Sequence, residues 1–149
     1  MVGIDDVRRT CAGCVGPAVF FAPDIDGDTF RAALAVAGRC QGRPPEKPTA
    51  AASVTLYVSN NDLALRQSQK IHGHQRAGQA GSEIVLCGGV DTIDVGYLNV
   101  SDKAGHSYQV DAPIVTDARA AFAGTAPTSP TRKLTRAKRP GGVYYELRR

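Results

Sequence analysis

A chain of 149 residues with 42% hydrophobic and 21% charged side chains is long enough for one domain with a modest core. It holds no apolar run near the ~18 residues that a membrane-crossing helix needs. Its formal charge of +4 is uneven, because residues 125–149 sum to +6 and residues 1–124 to −2. In "MVGIDDVRRTCAG" acids stand where a signal peptide carries its apolar core, so no export signal is expected there and a cytoplasmic location is the default.

The first unit is "PAVFFAPDIDGDTFRAALAVAG". Residues 18–22 read as a compact strand stopped by Pro23. Asp28 is expected to cap a helix whose apolar positions Phe30, Leu34 and Ala37 recur at helical spacing, with Gly38 as its stop. A proline-rich surface linker, "RCQGRPPEKPTAAA", follows.

In the second unit Val54, Leu56 and Val58 alternate with Thr55 and Tyr57, as in a half-buried strand, and a helix is expected from about Asp62 to His72, closed by Gly73. A glycine-rich loop leads to a third strand region centred on Val90–Val95. A longer loop then passes His106 to a last helix, opened by Asp111 and Pro113 and ended by Gly124. Residues 1–124 therefore read as three strand–helix units of the α/β class, with parallel strands covered by helices. Right-handed crossovers place the C-terminal ends of such strands on one edge. Asp24 and Asp26, then Asn60, Asn61 and Asp62, then His106 leave those ends.

The rest, 125–149, is rich in Pro, Thr and Gly and reads as a basic, flexible tail. A nucleic-acid face would interleave those charges with aromatics on a defined element, so no specific nucleic-acid partner is expected. An anionic surface held by residues 132–149 is the weaker idea. Cys11 and Cys14 form a C-x-x-C, Cys40 and Cys87 stand alone, and all four read as free thiols, since no second pair completes a zinc site. His72 and His74 in "IHGH" lack a carboxylate or cysteine at metal-binding spacing, so no metal or cofactor is expected. Asp24 and Asp26 read as loop caps, and Asp91 and Asp94 as a possible second acid beside the site.

An acid after one strand and a histidine after the next follow the hydrolase order Ser…Asp/Glu…His. Moreover, "FFAPDIDGDTF", "VTLYVSNNDLAL", "GVDTIDV" and "GHSY" resemble, in order, segments of a bacterial α/β-hydrolase family of unknown function with esterase- or lipase-like members. The resemblance covers about residues 18–124, and the terminal "GGVYYEL" also resembles that family's end. It implies that Asp62 is the triad acid and His106 its base, acting on a small-molecule ester. In "GHSY" Ser107 is then a neighbour of the base, since Gln109 replaces the second glycine of a G-x-S-x-G elbow.

The elbow itself should lie one strand–helix unit before "FFAPDID". "AGCVG", with Cys14, is a poor substitute, having no apolar strand before it and Pro17 directly after. Residues 4–14 read instead as the end of the nucleophile helix. The chain thus reads as the C-terminal part of a serine hydrolase, inactive alone for want of its nucleophile. The alternative is a non-enzymatic remnant that binds or assembles with a second chain covering its open sheet edge.

Overall fold

The computed structural model describes residues 16–98, 108 and 111–148. Five strands and three helices follow in the order β1 (Ala18–Phe21), α1 (Gly27–Val36), β2 (Val54–Val58), α2 (Leu63–His72), β3 (Val90–Asp94), α3 (Ala112–Phe122), β4 (Leu134–Arg139) and β5 (Gly142–Leu147). They build one sheet of order β1-β2-β3-β5-β4. β1, β2, β3 and β5 run parallel, with Ala18 opposite Val54, Val54 opposite Val90 and Ile93 opposite Tyr145, while β4 returns antiparallel to β5. This is the α/β class expected from the alternation of strand and helix.

Period-two alternation explains how both faces fill. Val54, Leu56 and Val58 join Phe30, Leu34 and Val90 on one face of the sheet. Tyr57, Ile93 and Val95 meet Ile114 and Ala118 of α3 on the other. Every residue of β2 is buried, as a central parallel strand covered on both sides must be.

The helix stops fall as expected, with Gly38, Gly73 and Gly124 all at positive φ. One start differs. Asp26, not Asp28, caps α1 by accepting the Thr29 N–H at 2.9 Å. Asp28 lies inside the first turn and pairs with Arg31 at 2.8 Å. A cap side chain receives an amide two or three residues further on, and Asp26 has that spacing to Thr29 whereas Asp28 is its neighbour.

Two expectations are corrected. Residues 125–148 do not form a flexible tail, because the β4–β5 hairpin spans residues 134–147 and all six residues of β5 are buried. Composition misleads here: the charges of "LTRAKR" decorate an edge strand, while "GVYYEL" pairs with β3. Arg139 and Gly142 face each other across Pro140 and Gly141, and Gly141 has φ +100°, the Pro–Gly pattern of a tight type II turn. Nor are all four cysteines free thiols. Cys40 and Cys87 form a disulfide with Cα atoms 5.2 Å apart, pinning the linker after α1 to the approach to β3. Cys11 and Cys14 lie outside the described residues.

A buried ion pair holds the hairpin to the sheet. Arg132 donates from Nε and Nη2 to the two carboxylate oxygens of Asp117 in α3, each at 2.8 Å, and from Nη1 to the Thr125 carbonyl at 3.0 Å. The Tyr57 hydroxyl of β2 donates to the same carboxylate at 2.6 Å. Burial, and then the adjacent Asp117 charge, raise the Tyr57 phenol well above its ordinary value, so it stays a donor.

The disulfide closes a loop of sequence separation 47, for which chain entropy gives about 4 kcal/mol of stabilisation. Urea unfolding in reductant, or of the C40S/C87S double variant, should therefore show a stability lower by up to about 4 kcal/mol. An unchanged midpoint would mean that the crosslink contributes nothing.

Candidate functional site

Parallel pairing brings the loops after β1, β2 and β3 to one edge of the sheet. Backbone bonds knit those loops together. The Gly78 N–H donates to the Pro23 carbonyl at 3.0 Å, and the Gly78 carbonyl accepts from the Ser59 N–H at 2.9 Å. A Cβ at Gly78 would lie 2.5 Å from the Ala22 backbone, so only glycine permits this approach. Asn61 reaches across from the β2 loop to the β3 loop, its side-chain amide donating to the Gly96 carbonyl at 2.5 Å.

Asp62 sits in this frame as the N-cap of α2. Its Oδ1 accepts the Leu65 N–H at 3.0 Å, and its Oδ2 accepts the Tyr108 hydroxyl at 3.0 Å. Asp62 is 0% exposed and Tyr108 1%, so this carboxylate is held in a dry setting by hydrogen bonds that include those from Leu65 and Tyr108.

His106, the expected base, lies outside the described residues, as does its neighbour Ser107. Tyr108, two positions further on, is described, and its hydroxyl is bonded to the acid. The residue types usual for triads did not single out Tyr108. The signal was present in "GHSY", where an aromatic hydroxyl follows the histidine by two.

The remaining acids divide. Asp24 accepts from the Ser68 hydroxyl and from Arg76 Nε, both at 2.6 Å. Burial alone raises its carboxyl, but those donors outweigh it and hold the group below the ordinary aspartate value. Asp24 is therefore a clamp between the β1 loop and the segment after α2. Asp91 lies at the N-terminal half of β3, bonded to the Ala52 N–H at 2.8 Å, away from the edge where the loops converge. Asp94 ends β3 at that edge and accepts the Gly96 N–H at 2.8 Å. Burial, then the Gly96 bond acting against it and the nearby Glu146, leave its carboxyl raised. His72 and His74 are exposed at the far end of α2.

A mostly parallel sheet and an acid buried at the C-terminal end of an inner strand together define an α/β-hydrolase-like fold. Residues 3–123 match the family model described as alpha/beta hydrolase of unknown function (DUF900), and the chain belongs to that family. Comparison with curated proteins and with solved structures gave no match.

Tyr108→Phe removes one donor to a buried carboxylate and keeps the ring. It should lower stability by about 1–3 kcal/mol, read by urea unfolding, and speed amide exchange in the segment after Leu98. Equal exchange and an equal midpoint would show that the bond does not hold in solution.

Proposed function

We propose that this chain supplies the acid and the base of a serine-hydrolase triad, with Asp62 orienting His106 for the hydrolysis of a small-molecule carboxyl ester. The observation that carries this reading is the buried Asp62 carboxylate, bonded to Tyr108 two residues beyond His106. In such a site the serine hydroxyl attacks the acyl carbon and passes its proton to the imidazole. The imidazolium then protonates the departing alcohol, and water repeats the sequence on the acyl-enzyme. The carboxylate accepts the other ring N–H, fixing the tautomer and stabilising the imidazolium.

No G-x-S-x-G occurs in the sequence. The proposed nucleophile and oxyanion donors therefore lie outside these 149 residues, which on this reading are inactive alone. No cofactor is required by this chemistry.

A second reading rests on the edges of the sheet. β4 carries Arg136, Lys138 and Arg139, charges that discourage pairing with a further strand. β1, "AVFF", has none. The Ala18 and Ala22 N–H groups donate to β2 and its flank, so by alternation those of Val19 and Phe21 face the open edge. A strand of a second chain paired there would make the protein an assembly or binding module.

The hydrolase reading is tested on the chain itself by following His106 with NMR. Asp62→Asn keeps a good helix cap but removes the charge, so the His106 pKa should fall by about 1 unit or more. Titration near the ordinary ~6.5 in both forms overturns the pairing. A fluorophosphonate should label no serine in the isolated chain; a labelled serine would refute the proposed inactivity.

For the second reading, light scattering should find the chain associating. Val19→Pro, which deletes an outward N–H without touching the β2 ladder, should abolish that association. A parent chain that stays monomeric throughout excludes the module.

A further inference from the structure

Residues 39–53 cross the edge of the sheet opposite the candidate site, where the parallel strands begin. They contain no helix, no strand and no buried residue, so no apolar core holds them down. Polar ties do so instead. The Gln41 N–H donates to the Gly88 carbonyl at 2.8 Å, and the Gly88 N–H to the Gly42 carbonyl at 3.0 Å. Glu46 pairs with Lys138 at 2.7 Å and with Arg136 at 3.6 Å, both on the edge strand β4. The Ala51 N–H donates to the Gly124 carbonyl at 3.2 Å, and the Ala52 N–H to Asp91 at 2.8 Å.

Hydrogen bonds at a solvated surface are individually weak, and exposed ion pairs are screened by salt. Among the described residues the Cys40–Cys87 disulfide is the one covalent fastening of this segment. Cys87 is buried and Cys40 only partly so, which makes Cys40 the sulfur open to a thiolate.

We propose that this disulfide is a redox latch. Oxidised, it holds residues 39–53 across the sheet edge; reduced, it releases them while the sheet stays folded. A dithiol supplies the two electrons and two protons. One of its thiolates attacks Cys40 Sγ and expels the Cys87 thiolate, and its second thiol then displaces Cys40. Both cysteines end as thiols and the reagent as a cyclic disulfide. Release also withdraws Glu46 from Arg136 and Lys138, so the edge strand gains two unpaired cations. The inference does not depend on any role of Asp62 or His106.

Amide exchange of the full 149-residue chain, oxidised and in excess dithiothreitol, tests it. Gln41, Ala51 and Ala52 should be protected in the oxidised chain and lose protection at least about tenfold on reduction. Leu56 of β2 and Ile93 of β3 should stay protected in both states. The C40S/C87S variant should exchange like the reduced chain without any reductant. Cleavage after Glu46 by a glutamate-specific protease should quicken about tenfold or more on reduction. Equal exchange of residues 41–52 in the two states would overturn the proposal. So would free thiols at Cys40 and Cys87 in the oxidised chain, or loss of protection in β2 and β3 together with the segment.

Discussion

The Arg132–Asp117–Tyr57 cluster joins the three parts of the molecule that no local pattern connects. Tyr57 comes from the central strand β2, Asp117 from α3 and Arg132 from the turn before the C-terminal hairpin. Two charges taken out of water are tolerated only when each is paired and hydrogen-bonded, and removing one partner of such a pair typically costs about 3–5 kcal/mol. The demand for full satisfaction restricts the geometry: α3 must lie where its carboxylate meets both β2 and the turn. That placement sets α3 over one face of the sheet.

Asp62 shows how one residue serves fold and site together. As an N-cap it satisfies an amide at the start of α2, where the helix dipole also favours a negative charge. Its second oxygen accepts from Tyr108 across a sequence separation of 46. The same parallel pairing that buries β2 delivers its end to the edge where the β1 and β3 loops meet. Gly78 and Asn61 then fix the spacing between those loops. The position of the acid is thus a consequence of sheet packing.

The outer parts of the sheet are managed unequally. β4 is an edge strand whose Arg136 and Lys138 pair with Glu46, Lys138 at 2.7 Å, while its Arg139 donates to the Ala80 and Gly81 carbonyls. On the linker side, the Cys40–Cys87 disulfide holds a proline-rich stretch that has few apolar groups of its own to anchor it. Among the described residues β1 has neither protection, and its residues are only half-buried.

Local physics made much of this legible in the sequence. A compact apolar run marked β1, period-two alternation marked β2, an apolar region marked β3, helical spacing marked the three helices, and glycines marked their ends, because each signal depends on a few neighbouring residues. Asp62 could be picked out for the same reason, as a cap immediately after a strand. What the sequence did not disclose depends on distant partners. "LTRAKRPGGVYYEL" reads as a charged tail until β3 offers an edge for β5 to pair with, and Arg132 reads as solvated until Asp117 is brought beneath it. Cys40 and Cys87 read as lone thiols until the fold closes the chain between them. Tyr108 belonged to a recognised motif, yet its bond to Asp62 exists only because β2 and β3 lie side by side. Composition and periodicity therefore determined the class and the elements as far as α3. The tertiary structure alone decided which polar groups are buried together, since burial depends on contacts between segments far apart in the chain.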